Sequence, residues 1–192
     1  MVDADPAQRI LRAASKLLTE EGPTALTNRR IALEAGCTTM AIYSRYGSKG
    51  GVLEALFNEG VDRIAEAQRS VSADLGGLAV IEGMCVAFRQ TALRFPGHYG
   101  LIFGPSPKDY EPSEVARQRS RQTFDVLVGA VARAVEQGHL VGVPSSIAFE
   151  LFAMCHGHVT LALAGMVPLD EEPEVAYIAA VRQALSGYAV TA

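Results

Sequence analysis

Hydrophobic residues recur every three to four positions along most of the chain, and no segment alternates polar and apolar residues as a strand would. The first helix shows this clearly, because Asp5-Pro6 is a typical start and Gly22-Pro23 a typical end. Its apolar face comprises Ile10, Leu11, Ala14, Leu17 and Leu18. The pattern predicts an all-α protein.

Two short helices joined by a tight turn come next. Thr27 and Thr38 are suitable N-caps, and Gly36 and Gly47 are suitable ends, since glycine adopts left-handed backbone conformations at little cost. The residues expected to point inward are Ile31, Ala35, Ile42 and Tyr46. Together with the first helix, these segments predict a compact three-helix unit within the first fifty residues.

Longer helices occupy the rest of the chain, and the total is about nine. A fourth helix is expected across 48–70, although Gly50-Gly51 predict that it begins late or frays, because each glycine costs up to about 1 kcal/mol relative to alanine. Glycine and proline breaks, with a loop at 105–112, then separate five segments: 77–95, a short one ending at Gly104, 112–138, 145–166 and 172–188.

Charge is concentrated in one short segment. The 192 residues carry a formal net charge of −4, which by itself argues against a nucleic-acid-binding protein. Residues 27–49, however, contain four cationic side chains and a single acid, Glu34. The cations are Arg29, Arg30, Arg45 and Lys49. This excess favours a local surface for phosphates.

The same segment has the parts of a helix-turn-helix, in which the second helix enters the major groove of DNA. Tyr43, Thr27, Arg29, Arg30 and Lys49 suit contacts to phosphates. The side chains facing away from the core, which could reach base edges, are Thr39, Met40, Ala41, Ser44 and Arg45. The alternative is that the arginines form the solvated face of an ordinary three-helix unit.

Residues 26–49, LTNRRIALEAGCTTMAIYSRYGSK, closely resemble the signature of the TetR (tetracycline-repressor) family of bacterial regulators. The resemblance implies that Thr27 and either Arg29 or Arg30 hold the DNA backbone, and that Tyr43 and Lys49 grip phosphates. It places in the groove Thr38, Thr39, Met40, Ala41, Ser44 and Arg45. Tyr46 stands where the family usually has phenylalanine, which puts its packing in question.

We expect two domains: residues 1–50 bind DNA, and residues 51–192 bind a ligand and dimerise, with helix 48–70 as the link. The segment 145–166 is apolar nearly all round and so must be buried on both sides. One stripe comprises Ile147, Leu151, Met154, His158, Leu161 and Gly165; the other comprises Phe149, Phe152, His156, Val159, Leu163 and Met166. A homodimer through 145–166 and 172–188 would cover both stripes, unless one monomer's core buries them.

Residues 88–166 also resemble the C-terminal domain of a TetR subgroup that bears a Trp-His-Gly signature, of which only His156-Gly157 is present. The resemblance implies a cavity for a small, largely apolar effector. Its expected lining residues are Phe88, Tyr99, Phe103, Phe124, Phe152 and His156. Plain core packing is the alternative for each of them.

Other kinds of site find little support in the sequence. The three widely spaced cysteines suit reduced thiols in a cytoplasm, and the apolar 145–166 segment is interrupted by polar residues, so no membrane partner is expected. His98 and His139 lie near helix breaks and should be solvated, whereas His156 and His158 point to nearly opposite sides of one helix. We expect no metal, no cofactor and no enzyme.

The function expected from these features is that of a cytoplasmic, dimeric transcriptional repressor, which binds a palindromic operator and is released by a small molecule. Two alternatives remain open. An activator of the same fold would have the same sequence features, and a helical carrier of small molecules would use the fold without binding DNA.

Overall fold

The computed structural model describes residues 5–71, 75–107, 110–166, 170 and 172–190. These residues form nine α-helices, one short 3-10 helix at Pro23–Ala25 and no strand, which confirms the all-α prediction. The helices are α1 Pro6–Glu21, α2 Asn28–Ala35, α3 Thr39–Tyr46, α4 Lys49–Arg69, α5 Gly77–Arg94, α6 Pro96–Phe103, α7 Glu114–Glu136, α8 Pro144–Leu163 and α9 Pro173–Ser186.

The chain divides into two compact units that do not follow the predicted boundary at residue 50. The first unit contains residues 1–62 and 95–120, and the second contains 63–94 and 121–192. The boundaries at residues 62 and 120 fall within the long helices α4 and α7, which have 21 and 23 residues. That residues 1–50 act as a DNA-binding domain stays a prediction.

A continuous hydrophobic core holds the first unit together. Most of its fully buried side chains come from α1, α2, α3 and α4, as the apolar spacing predicts, and Leu26 and the α7 residue Ala116 add to them. They include Ile10, Leu18, Ile31, Ile42 and Leu56. This core buries one side of each short helix and leaves the other side to solvent.

The predicted late start of α4 is wrong, because the helix begins at Lys49 and includes both glycines. The Ser48 hydroxyl accepts a hydrogen bond from the Gly51 N–H at 3.2 Å and so caps the first turn. A Cβ atom on Gly51 would lie 1.9 Å from the Tyr46 carbonyl oxygen. Glycine at position 51 therefore permits the close approach of α3 and α4.

The expected solvation of His98 is also wrong, whereas His139 is exposed as expected. His98 lies on α6 and is 1% exposed. Its Nε2 atom lies 3.3 Å from the Ser15 hydroxyl and 3.1 Å from a Glu59 carboxylate oxygen. Helix α6 begins at Pro96 and places His98 in the core. A predicted helix break at Pro96-Gly97 therefore does not imply that the next residue is exposed.

In the second unit, α5, α8 and α9 pack around Tyr177, whose side chain is fully buried. The Tyr177 hydroxyl donates a 2.7 Å hydrogen bond to the Cys85 carbonyl oxygen. The thiols of Cys85 and Cys155 are buried in the same unit. Helices α5 and α9 are thereby joined by a polar contact as well as by apolar ones.

Helix α8 ends at Leu163, three residues before the predicted limit. Gly165 adopts a φ of 70°, and the Met166 N–H donates to the Leu161 carbonyl oxygen at 2.8 Å, so the chain leaves the helix in a left-handed turn. Among the described helices, α8 is the one whose length and composition would allow it to cross a membrane.

Gly51→Ala should destabilise the protein by about 1–3 kcal/mol, because the new methyl group would overlap a backbone carbonyl that cannot move freely. Gly50→Ala is the matched control. Its Cβ would meet only the Ser48 hydroxyl at 3.3 Å, so the higher helix propensity of alanine should leave stability unchanged or raised by up to about 1 kcal/mol. Urea denaturation followed by circular dichroism measures both. Equal effects of the two substitutions would contradict this account of Gly51.

Candidate nucleic-acid interface

Two capped short helices form the candidate interface. The Thr27 hydroxyl accepts a hydrogen bond from the Arg30 N–H at 3.2 Å, and the Thr38 hydroxyl accepts one from the Ala41 N–H at 3.3 Å. Each threonine thus satisfies an N–H that a helix start leaves without a partner. The caps place the starts of α2 and α3 where the sequence predicted them.

A tight turn at Gly36 and Cys37 joins α2 to α3. Gly36 has a φ of 60° and a ψ of 42°, the left-handed conformation that glycine adopts most readily. The Cys37 N–H donates to the Ala32 carbonyl oxygen at 2.9 Å and closes the turn. This short connection sets the direction in which α3 leaves α2, as a helix-turn-helix requires.

Helix α3 is held against the core on one side only. Ile42 is fully buried, and the Tyr46 hydroxyl donates a 2.8 Å hydrogen bond to the Ala7 carbonyl oxygen of α1. The extra hydroxyl of Tyr46, compared with the phenylalanine usual in the family, therefore has a partner. Burial raises the pKa of Tyr46, so the phenol stays neutral and continues to donate at physiological pH.

The opposite side of α3 presents the residues predicted to read DNA. Met40 is 72% exposed and Tyr43 is 50% exposed, which is unusual for side chains of this size. Ala41 is half-buried. The remaining predicted residues of this surface are exposed: Thr38, Thr39, Ser44 and Arg45. The surface offers hydroxyls, a guanidinium and apolar groups side by side.

Ion pairs within the protein determine which cations of residues 27–49 remain available to contact phosphates. Arg30 forms a two-pronged pair with Glu21, at 2.5 and 2.6 Å, and this hydrogen bonding lowers the pKa of Glu21. Lys16 pairs with Glu34 at 2.7 Å, which neutralises the single acid of residues 27–49. The three other cations of the segment form no ion pair within the described residues. They are Arg29, Arg45 and the half-buried Lys49.

Sequence reasoning missed these partners. Glu21 precedes Arg30 by nine residues and Glu34 follows Lys16 by eighteen, so neither pair has the three- or four-residue spacing that identifies neighbours on one helix. It also missed Leu33, which is 83% exposed on α2 beside the turn. A large apolar residue next to Glu34, on the side of α2 away from the buried Ile31, is the signal that could have identified this exposed apolar side chain.

The residues predicted to line an effector cavity are divided between the two units. In the second unit, Phe152 is central: its ring lies 5.8 Å from those of Phe88 and Phe124 and 5.9 Å from that of His156. Tyr99 and Phe103 form a separate pair 4.9 Å apart in the first unit. Four of the six residues therefore come together, and we call these four the aromatic cluster.

Helix α8 does not have the two faces that its sequence stripes predict. The buried side combines Ile147 and Leu151 of one stripe with Val159 of the other. Phe149 is 63% exposed, and Leu161, Leu163 and Met166 are exposed as well. A helix that is apolar nearly all round gives no contrast by which the sequence can define its inner face.

Two other kinds of chemistry, a metal site and a reactive thiol, concern the His, Cys, Asp and Glu side chains of the described residues. Within the described ranges, no three His, Cys, Asp or Glu side chains are placed to hold a metal ion. The neighbouring Cys85 and Cys155 are deeply buried, and hydrogen bonding to Cys155 together with burial raises the pKa of the Cys85 thiol. Cys85 is therefore a buried, protonated thiol, which is a poor nucleophile, whereas hydrogen bonding to Cys85 lowers the pKa of Cys155.

Two family models match the chain. The model for bacterial regulatory proteins of the tetR family matches residues 10–56, and the model for the tetracyclin repressor-like C-terminal domain matches residues 81–184. No curated protein matches the chain significantly. The first match covers α2, the turn and α3, and the second covers most of the second unit.

Solved structures share the fold across almost the whole chain. A protein with unknown function from Rhodococcus sp. RHA1 has a TM-score of 0.86 at 24% identity, covering 98% of both chains. A TetR/AcrR-family transcriptional regulator from Thermobifida fusca YX-ER1 has a TM-score of 0.73 at 24% identity, covering 97% of this chain and all of its own. A putative tetR-family regulator from Shewanella sp. PV-4 has a TM-score of 0.70 at 19% identity, covering 97% and 99%. The N-terminal family model covers the helix-turn-helix, and the C-terminal family model covers more than half of the chain. The chain therefore belongs to the TetR family of bacterial transcription regulators.

Proposed function

We propose that the protein is a ligand-responsive repressor that binds a near-palindromic operator as a homodimer. The observation that carries the proposal is the outer surface of α3, where exposed polar and apolar side chains lie beside three cations that form no ion pair with any described residue. DNA binding and response to ligands are typical of the family to which the chain belongs. The proposed location is the cytoplasm, where family members bind DNA as soluble proteins.

On DNA, α3 enters the major groove with its first turn towards the base edges. Thr39 and Ser44 offer hydroxyls, Met40 and Ala41 suit thymine methyl groups, and Arg45 suits guanine. Thr27, Tyr43 and Lys49 hold phosphates. From α2 we assign the backbone contact to Arg29, because Glu21 occupies the guanidinium of Arg30.

A dimer supplies the second recognition helix, about 34–36 Å away in the next major groove. We assign the interface to α8 and α9, because both helices expose apolar side chains next to small ones. Phe149 and Leu163 are exposed on α8, and Ala153 lies between them on the same face. On α9, Val175 and Ala179 line an open concavity that a helix of the second copy would cover.

Release requires an effector that binds one conformation more tightly than the other, since equal affinity for both would shift nothing. The aromatic cluster in the second unit is the proposed apolar contact for this molecule. Its member His156 belongs to the His156-Gly157 pair that resembles the Trp-His-Gly subgroup, and membership of that subgroup is part of the proposal. No cofactor is required.

Two other functions remain distinguishable by experiment. An activator would bind the same kind of operator but raise transcription in a reporter assay. A helical carrier without DNA function would leave Arg29, Arg45 and Lys49 without a role, and their replacement would change nothing measurable in DNA binding. The unpaired state of these three cations favours a DNA-binding regulator over a carrier.

Replacing Arg29 by alanine should weaken DNA binding more than replacing Arg30, because Arg30 is already paired with Glu21. The double variant Arg45→Ala, Lys49→Ala should lose specific binding. For a dimer that loses one phosphate contact per protomer, the slope of log K against log salt concentration should fall by about 2. Fluorescence anisotropy across a salt series measures this, on the DNA upstream of the coding region and on duplexes selected from random sequence.

Arg117→Ala is the matched control, because Arg117 pairs with Glu111 and Glu114 on α7 and lies outside the helix-turn-helix. It should bind DNA like the unaltered protein. If the unaltered protein enriches no sequence from the random pool, the proposed DNA-binding function is wrong.

Phe149→Arg should convert the dimer to a monomer, because a charged side chain would have to be desolvated in the proposed α8–α9 interface. Light scattering coupled to size-exclusion chromatography measures the mass. Val115→Arg is the control, since Val115 is similarly exposed, at 69%, on α7. A dimer that survives Phe149→Arg would place the interface elsewhere.

A further inference from the structure

Within the ranges that the structure describes, Arg89 on α5 is a buried cation without an anionic partner. The residue is only 9% exposed to solvent. The contact described for its guanidinium is with the ring of Tyr177, whose centroid lies 5.4 Å from the Cζ atom. No hydrogen bond or ion pair of Arg89 is found within the part of the chain that the structure describes.

Burying a cation costs free energy unless an anion compensates its charge. Guanidinium stays protonated in proteins and presents five N–H donors, so Arg89 cannot escape the cost of burial by losing its proton. A single aromatic ring stabilises a cation by about 0.5–2 kcal/mol, whereas the effective penalty for burying an ion is several kcal/mol. The residue therefore has unused capacity to bind an anion.

The carboxylates of the second unit near Arg89 in sequence or on the facing helix are already engaged. Glu82 pairs with Arg182 through two contacts at 2.8 Å, and Glu174 accepts a hydrogen bond from Gln90 at 3.3 Å. The protein thus places acids close to this region but directs them at other groups. Neither supplies the counterion for Arg89.

Tyr177 cannot supply the negative charge that Arg89 lacks. Burial raises the pKa of the Tyr177 phenol far above its usual range, so the ring stays neutral. Its proton is donated to the Cys85 carbonyl oxygen, which holds the ring in a fixed position. The ring of His158 packs edge-on against it, with centroids 5.6 Å apart. Tyr177 is therefore a rigid wall beside the guanidinium.

The guanidinium also borders accessible space. Among the described residues, the fully enclosed polar atoms that lack a hydrogen-bond partner include Gln68 Oε1 but no nitrogen of Arg89. Since those nitrogens have no hydrogen-bond partner either, each must touch volume that a water-sized molecule reaches. The guanidinium therefore remains in contact with solvent at the edge of the buried region.

We propose that Arg89 binds the carboxylate of the effector, and that the effector is a small monocarboxylic acid with an apolar body. This inference rests on the proposed ligand-responsive function. One carboxylate matches the planar fork of one guanidinium in shape and charge, whereas a dianionic phosphate would leave a second charge unpaired. The helices α5, α8 and α9, which pack around Tyr177, bury several aliphatic side chains that suit an apolar body: Ile81, Ala92, Leu151, Val159 and Val181.

The test is a comparison of acids with their neutral amides. Sodium hexanoate, octanoate and phenylacetate, each beside its primary amide, are titrated at constant ionic strength, and binding is followed by thermal shift and calorimetry. The acids should raise the Tm of the unaltered protein, and the amides should not. In Arg89→Met the affinity for the acids should fall about tenfold or more, the loss typical of one charge-assisted hydrogen bond.

Further variants separate binding from stability. Without ligand, Arg89→Met should be at least as stable as the unaltered protein, because it removes an unpaired buried charge, whereas a structural role for Arg89 would lower the Tm. Arg89→Lys should keep a weaker response to the acids. Arg117→Met is the matched control, because Arg117 is exposed and paired with Glu111 and Glu114 in the first unit, and it should respond like the unaltered protein.

The inference is overturned if none of the acids raises the Tm, if the amides act equally, or if Arg89→Met responds unchanged. Operator binding, measured in parallel, distinguishes the two proposals. If the acids bind through Arg89 but the protein selects no operator, the proposed repressor function fails and the site stands. If an operator is bound and released by a neutral compound alone, the function stands and the carboxylate site fails.

Discussion

The attachment of α3 along one side is the constraint on which the candidate interface depends. Ile42 is fully buried, Tyr46 donates to a carbonyl of α1, and Gly51 allows α4 to start against the end of α3. A helix of eight residues has too few internal hydrogen bonds to be stable alone, so these contacts provide its stability. They also determine that Met40 and Tyr43 face solvent.

Charge pairing acts in opposite ways in the two units. On the surface of the first unit, ion pairs neutralise Arg30 and Glu34. The charged side chains of residues 27–49 that remain unneutralised are fewer and all positive. In the second unit, Arg89 lies unpaired in the interior beside a fixed tyrosine ring. Surface cations cost little when they stay hydrated, whereas a buried one needs a partner. The first arrangement suits a polyanion, and the second suits a small anion.

Much of the fold could be predicted because the relevant signals are local. Threonine caps at 27 and 38 and the left-handed glycine at 36 involve groups within five residues of one another. The errors came from contacts between distant segments. His98 is buried because α1 and α4 surround it, and α4 starts early because Gly51 fits against the Tyr46 carbonyl. Helix α8 is apolar nearly all round, so its sequence does not indicate which side faces the core. Each predicted stripe therefore mixed buried and exposed residues.

The sequence by itself determined the all-helical class, the turn between α2 and α3 and the outward side of α3, because helical period and capping depend on neighbours along the chain. Its family resemblance covered the same segment. Only the tertiary structure decided that Glu21 occupies Arg30, that four of six aromatic candidates meet around Phe152, and that Arg89 is buried without a carboxylate. These features depend on which side chains folding brings together from distant parts of the chain, and on how much water it removes from them.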